Sequence, residues 1–203
     1  MKKLIVVFPA LTLCLGLCAD NVFTDFLSRL DSLNVSFDYT FEVKGPVPLA
    51  GQGSVLMQGD CYRLTSEGLR IWSDGSVRYV ADDISKELYI ESVKGSDFNS
   101  NPMMNLKNID GERVFESADV LFNGRRVQSF SINPSDSAKF KSVSVFFYGK
   151  NIVGAEFVDR DGTRTVFKIS NFLFRKDRLP ASEFSCELSE FNKEYQIIDM
   201  LSD

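Results

Sequence analysis

Val35 to Val43 alternates without a break. Val35, Phe37, Tyr39, Phe41 and Val43 fall on one side, and Ser36, Asp38, Thr40 and Glu42 on the other. Period two predicts a strand with an aromatic face turned inward and a polar face turned to water. The stretch before it has a different period. From Asp20 to Leu33 the apolar residues stand at 22, 23, 26, 27, 30 and 33, which is the spacing of one helical face. Asp20 or Asn21 can cap its start. After a loop at Gly45-Pro46-Val47-Pro48, residues 51–82 read as short strands separated by turns. Gly51-Gln52-Gly53 opens the first strand, and Gly59-Asp60, Glu67-Gly68 and Ser73-Asp74-Gly75 punctuate the run. This is the pattern of an antiparallel meander with one buried face.

The same signals continue to the end of the chain. Glu87–Val93 is a strand, and Gly95–Asn101 a polar loop. Asn101-Pro102 then starts a short helix, with Asn as cap and Pro in the first helical position. Its adjacent Met103 and Met104 suit an adaptable apolar contact. Glu116–Ile132 reads as a hairpin about Asn123-Gly124, and Asn133–Lys139 as a loop. Strands follow at Val143–Tyr148, Ile152–Val158 and Thr163–Ile169, with a last one at Phe184–Leu188 beyond Pro180 and a terminal turn at Tyr195–Met200. About ten or eleven strands and two helical segments result. The helices are too few to cover a flat sheet of that size. The pattern therefore predicts a mainly β (α+β) fold: a single curved antiparallel sheet, closed or half-closed, with helices over its opening.

Composition adds an address. Lys2 and Lys3, the apolar run Leu4–Leu15, and the small residues Gly16 and Cys18 make residues 1–18 a secretory signal peptide by pattern, with cleavage after Cys18 or Ala19. The run is short for a membrane span. Leu17 before Cys18 and Leu13 before Cys14 are poor lipidation contexts, which favours a soluble exported protein over a lipid-anchored one. Residues 19–203 then form one domain. The formal net charge is −5, and losing the leader removes two lysines and no acid, which argues against a nucleic-acid partner. Cys61 and Cys186 remain. They could form a disulfide in an oxidising compartment or stay as two buried thiols.

There is no histidine. That removes Ser-His-Asp and Cys-His catalysis and imidazole metal sites. Asp159, Asp161 and Thr163 lack the further ligands of a calcium loop and fit a hairpin turn better. No nucleophile elbow or phosphate loop is present. The expectation is a protein that is not an enzyme, with no catalytic residue, metal or cofactor.

Taken in order, these pieces resemble the outer-membrane lipoprotein carrier protein family, LolA. The resemblance rests on the N-terminal amphipathic helix, the aromatic strand 35–43, the Gly51-Gln52-Gly53 strand, Tyr62-Arg63-Leu64, Trp72-Ser73-Asp74-Gly75, Asn101-Pro102 with its Met pair, and the closing meander from Ser131 to Ser170-Asn171. It covers nearly the whole chain after the leader. It implies an unclosed β-barrel whose apolar concavity is covered by a helical lid. It further implies a periplasmic carrier that holds lipoprotein acyl chains, with an inner-membrane release complex as donor and an outer-membrane acceptor. One departure stands out. Where the family has Lys-Arg-Pro after the Gly-Gln-Gly strand, with the Arg on the lid, this chain has Gln58-Gly59-Asp60.

A lipid in water needs a large apolar shelter, since each buried CH₂ is worth about 0.8 kcal/mol. The expected cavity lining is Phe37, Tyr39, Phe41, Val55, Met57, Tyr62, Leu64, Ile71, Tyr79, Leu88 and Ile90, with Phe130, Ile132, Val145, Phe147, Phe157, Phe167 and Ile169 from the closing strands. The expected lid is Phe23, Phe26, Leu30, Met103, Met104 and Leu106. Any one of them could instead be ordinary core. A monomer that binds lipoprotein acyl chains or another lipid is one outcome. An envelope sensor or interaction module on the same fold is the other. Cavity size separates them: a large apolar cavity favours carriage, a filled core with an exposed apolar edge favours protein binding.

Overall fold

The computed structural model describes residues 16–93, 101–107, 116–135, 139–191 and 193–201. The leader expected over 1–18 lies outside them except for residues 16–18, which begin the first helix. Most of the loop expected at 95–101, and part of the one at 133–139, also lie outside.

Helix α1 (Gly16–Ser32) leads into β1 (Asn34–Lys44), and the meander follows as β2 (Leu49–Gln58), β3 (Cys61–Ser66), β4 (Leu69–Ser73), β5 (Val77–Asp82) and β6 (Glu87–Ser92). Helix α2 (Pro102–Lys107) is followed by β7 (Glu116–Phe122), β8 (Arg125–Ile132), β9 (Phe140–Tyr148), β10 (Asn151–Asp159) and β11 (Arg164–Arg175). The chain ends with β12 (Gln196–Asp199). All twelve strands join one sheet in the order β12-β6-β5-β4-β3-β2-β1-β11-β10-β9-β8-β7. The two ends of that order are not paired with each other, so the barrel is unclosed. The pairing is antiparallel except where β12 runs parallel to β6, which makes the sheet mixed rather than wholly antiparallel.

The Gly-Gln-Gly strand has a steric reason. Tyr39 lies directly across from Gly53, and Phe41 from Gly51. A Cβ on Gly53 would meet the Tyr39 hydroxyl at 2.8 Å and the Thr65 carbonyl at 2.7 Å, and one on Gly51 would meet the Phe41 ring at 2.7 Å. The rings lie over the glycines, so the missing side chains make room for large neighbours. At the β7–β8 turn, Asn123 and Gly124 both take positive φ, 50° and 74°, as a two-residue hairpin of this type requires.

A bulge reshapes β11. Asp38 faces Ser170, but Ser36 faces Leu173. Asn171, at φ 53°, sits in the step and donates its side-chain amide to the Asp38 carboxylate at 2.7 Å. One extra residue inverts the alternation. Phe172 and Phe174 therefore join Phe167 and Ile169 on the concave side, where they pack against the main core.

The C-terminal segment differs from expectation. Phe184–Leu188 is not a strand. Residues Ala181–Phe184 and Leu188–Glu190 form two 3₁₀ turns, and the terminal turn is instead the strand β12. The segment crosses the outer face of the meander. The Leu179 amide donates to the Gln58 side chain at 2.8 Å, Arg63 pairs with Glu183 at 3.2 Å, and Phe184 is buried. Phe191 then closes a second small core with Ala81 and Leu88, flanked by Trp72, Tyr79 and Tyr195.

Replacing Gly53 by Ala should destabilise the protein by about 1–3 kcal/mol through overpacking against Tyr39 and the β3 backbone. Urea unfolding of the variant, and of one in which Tyr39→Phe removes the clashing hydroxyl, measures this; partial recovery in the double variant is expected.

Candidate functional site

The concave face is built from cross-strand rows, because directly opposed residues in an antiparallel sheet share a face. One row runs Phe37, Val55, Leu64, Ile71, Val80, Tyr89 across β1 to β6. The next runs Val35, Met57, Tyr62, Ser73, Arg78, Glu91 across the same strands. On the other arm, Phe130 faces Val145, and Ile132 faces Val143. Phe157 and Phe167 meet edge to face at 5.8 Å.

Helix α1 lays its apolar face on this surface. Phe23 stacks on Phe130 at 6.0 Å, and Phe26 meets Phe147 edge-on at 5.3 Å and Phe172 at 5.7 Å. Such ring pairs add about 0.5–1.5 kcal/mol each beyond their buried area. Arg29 lies over Phe174 at 4.0 Å. Helix α2 supplies Met103, Met104 and Leu106 to the same cluster. Its cap is as expected: the Asn101 side-chain oxygen accepts from the Met103 amide at 3.0 Å. Residues of both helices and of both arms of the sheet pack together in one cluster on the concave face, with Val22, Phe41, Leu69, Val80, Phe172 and Phe174 partly buried at its margin. A hollow of about 660 Å³ lies elsewhere, on the polar side of the sheet, lined by Asp38, Thr40, Gln52, Ser54, Thr65 and Ser170 among others.

The structure brings Phe37, Tyr39, Val55, Met57, Tyr62, Leu64 and Ile71 together with Phe130, Ile132, Val145, Phe147, Phe157, Phe167 and Ile169 in this cluster, with Phe41 packed at its margin. The lid residues Phe23, Phe26, Leu30, Met103, Met104 and Leu106 join them. Three expected lining residues are elsewhere. Ile71 faces Val80, not Tyr79, so Val80 continues the concave face and Tyr79 turns outward. Ile90 faces Tyr79 and Leu88 faces Ala81, and both follow Tyr79 to the outer side. There Leu88 packs beneath Phe191. The phase of β5 and β6 cannot be read from their own residues, since both of their faces are apolar in part.

Several residues that shape the site carry no local signal. Phe172 and Phe174 depend on the bulge. Phe140, Val143, Ile152 and Ala155 belong to the core through the register of β9 and β10. Lys107, the last residue of α2, donates to Asp60 at 2.8 Å, Asp31 at 3.0 Å and the Gly59 carbonyl at 3.1 Å. These three acceptors match the three N–H donors of an ammonium. The Gly59–Asp60 turn thus supplies acceptors, and the cation stands on the helix. Burial pulls the Lys107 pKa down, but the hydrogen bonds and charges of Asp60 and Asp31 outweigh it and raise it above its ordinary value.

Of the two outcomes open for Cys61 and Cys186, a disulfide or two thiols, the structure has the thiols. Cys61 donates to the Asp74 carbonyl at 3.2 Å, and Cys186 packs against the outer core. Burial raises both thiols, that of Cys186 to about 11, which leaves them poor nucleophiles. Burial also pushes the Tyr39 hydroxyl to about 12, so it stays protonated within the aromatic row. Asp161 accepts from the Thr163 amide at 2.8 Å, the geometry of a hairpin turn. Among the described residues no group of three or more His, Cys, Asp or Glu could hold a metal ion, and no helix is long and apolar enough to cross a membrane.

On the outer face Arg70 forms a fork with Asp83, at 3.0 Å and 2.7 Å, and Tyr195 donates to the same carboxylate at 2.5 Å. The guanidinium lies 5.1 Å from the Phe191 ring and 5.5 Å from Trp72. This clasp holds the C-terminal segment on the meander. The Arg70 hydrogen bonds, with help from Tyr195, keep the Asp83 carboxyl below its ordinary value despite partial burial.

No protein-family model matches the chain, and no curated protein sequence matches it. Solved structures do resemble it. An uncharacterized conserved protein from Thermus thermophilus superposes with a TM-score of 0.53 at 10% identity, over 90% of this chain and 99% of that one. A LolA superfamily protein from Nitrosomonas europaea gives 0.42 at 12% identity, over 83% and 97%. A chain of the Pseudomonas aeruginosa MucA/MucB complex gives 0.43 at 9%, over 84% and 61%. At 10% identity the Thermus likeness is one of fold alone, and the other two align too loosely to bear on function.

Two outcomes are expected from these contacts. Lys107→Met should cost on the order of 1 kcal/mol, since its acceptors face solvent, and should speed hydrogen exchange at residues 101–107 with little change elsewhere. Separately, a carboxyl whose folded pKa is depressed contributes stability above its unfolded value and loses it as pH falls through the folded one. The Asp83 clasp should therefore hold above about pH 4 and release below it. Trp72 is the single tryptophan, so a red shift of its emission on acidification, moved to higher pH or already present at neutrality in Asp83→Asn, reads the release directly.

Proposed function

We propose that this protein is an exported carrier of acyl-chain amphiphiles, whose concave aromatic surface is the binding site and whose α2 is the movable part of its cover. The observation that carries this reading is the make-up of the cover. A six-residue helix with consecutive Met103 and Met104 packs into the apolar cluster on an open sheet's concave face, with Lys107 at its end bonded to the β2–β3 turn. A helix this short has little stability of its own. Methionine side chains repack around varied shapes at low cost. In the closed state the helix's own side chains fill the space an acyl chain would take, so binding is an exchange of one apolar occupant for another. The sequence resemblance to the lipoprotein carriers supports the same reading. It would make lipoprotein acyl chains the cargo, the periplasm the location, and membrane-bound donor and acceptor complexes the partners.

A second reading is an envelope sensor or protein-interaction module. The edge strand β7, with Leu121 78% exposed, favours it. An edge strand with unpaired backbone groups can accept another strand.

The test is uptake of a fluorescent fatty acid by the purified protein, with mass spectrometry of lipids and lipoproteins that co-purify from cells. Saturable uptake is expected. Met103→Ala should destabilise the closed state by about 2–5 kcal/mol and raise probe affinity several-fold, because a competitor for the concavity has been trimmed. Wild-type protein that takes up no probe and carries no lipid would sink the carrier reading and leave the interaction module.

A further inference from the structure

The row Val35, Met57, Tyr62, Ser73, Arg78, Glu91 changes character along its length. Val35, Met57 and Tyr62 are fully buried, Ser73 is a buried hydroxyl, and the last two residues are a directly opposed ion pair. Arg78 donates from Nε to Glu91 at 2.7 Å and contacts it from a second nitrogen at 2.5 Å. The side chains are 11% and 24% exposed, which makes this the single ion pair among the described residues with both members more than three-quarters buried. Ser73 stands between Tyr62 and Arg78 in the row, directly opposite each. The neighbouring row, from Phe37 to Tyr89, holds no charge at all.

Burying a charge pair on an apolar wall costs several kcal/mol per ion before the mutual attraction is counted, and an apolar pair of equal volume would be no less stable. A structural role therefore gives weak grounds for this pair. Its position gives better ones. Tyr62 follows the β2–β3 turn, where Lys107 fastens the end of α2 to Gly59 and Asp60. Arg78 follows the β4–β5 turn at the same end of the sheet, where the cover would lift. From Arg78 on β5 to Val35 on β1 is four strand spacings of about 4.8 Å, a track of roughly 19 Å, the scale of a long acyl chain.

We propose that Arg78 is the head-group anchor of the concave site, binding the oxyanion of a carboxylate- or phosphate-headed amphiphile whose chain runs along the row over Tyr62 and Met57 toward Val35. The proposal rests on the amphiphile-carrier reading above and adds the chemistry of the head. Glu91, the more exposed partner, is the group the ligand displaces: its carboxylate turns to water while the incoming oxyanion takes over the guanidinium fork. Arginine suits this exchange because its planar donors match carboxylate and phosphate alike.

The experiment compares 12-(9-anthroyloxy)stearic acid with its methyl ester on the intact purified protein, then competes the acid probe with lysophosphatidic acid and with inorganic phosphate. Wild type should bind the acid roughly 10- to 100-fold more tightly than the ester, the range of a hydrogen bond to a charged group. In Arg78→Leu/Glu91→Leu the ratio should fall to about one, with circular dichroism and thermal unfolding confirming the fold. The paired replacement leaves no lone buried charge and so avoids the unfolding that one substitution alone would risk. Displacement by lysophosphatidic acid assigns the site to oxyanion heads in general, and its failure while stearic acid competes confines the site to carboxylates; either supports the anchor. Displacement by inorganic phosphate alone would overturn it in favour of a free-anion site. Equal binding of acid and ester by wild type would overturn the anchor and leave the carrier reading standing. Binding of neither would overturn both.

Discussion

The pairing of Tyr39 with Gly53 and of Phe41 with Gly51 is the constraint on which the concave face depends. Two large rings can lie flat over the neighbouring strand only where that strand has no side chains. A shift of one residue would set each ring against Gln52 or Ser54 and move every apolar residue of β2 to the other face. The register so fixed propagates through β3 and β4 to β5, strand by strand, because each opposed pair shares a side. The order of residues in the two rows, one wholly apolar and one ending in Arg78 and Glu91, follows from that single alignment.

The meander from β2 to β6 is covered on both sides, and the two coverings differ in kind. The concave side is covered by helices through dispersion and ring contacts, which are individually small and tolerate repacking. The outer side is covered by the C-terminal segment, where the small Phe191 core is joined by directional bonds: Asn34 to the Asp177 carbonyl, the Leu179 amide to Gln58, and the Arg70–Asp83–Tyr195 clasp. Lys107 is the exception on the concave side. It is a polar tie at the end of a helix whose Met103, Met104 and Leu106 lie in the apolar cluster, and it couples α2 to both α1 and the β2–β3 turn.

Much of this is legible in the sequence, and the failures have identifiable causes. Strict alternation places β1 and its inward aromatics, and turn chemistry places the hairpin at Asn123-Gly124. The helical period places α1, and the Asn-Pro step places α2. Tyr79, Leu88 and Ile90 fall on the wrong face in a sequence reading because β5 and β6 carry apolar residues on both sides, one set for the concavity and one for Phe191. Phe172 and Phe174 escape it because a bulge at Asn171 inverts the phase beyond it, and nothing in Ser170-Asn171 announces that step. The 3₁₀ turns about Phe184 and the strand Gln196–Asp199 are exchanged. Both are short, and tertiary contact with the meander, rather than local propensity, decides them. The Arg78–Glu91 pair stands out only once its row is assembled from five separate strand pairings.

The parallel strand β12 has a consequence for how the chain reaches this state. Its partner β6 is made early, and β12 belongs to a segment synthesised after the whole of the other arm. Until then the outer edge of β6 is unpaired, and so is the apolar patch of Trp72, Ala81 and Leu88 that Phe191 will cover. A nascent chain in this condition carries a sticky border for a time set by the rate of chain synthesis, the period in which strand edges recruit wrong partners. Glu87 and Glu91 on that border, with Asp82 and Asp83 at its turn, place negative charge along the edge through that interval. The border is closed by the last strand to arrive, so assembly of the sheet is completed in time at one edge and not at the seam between its two arms.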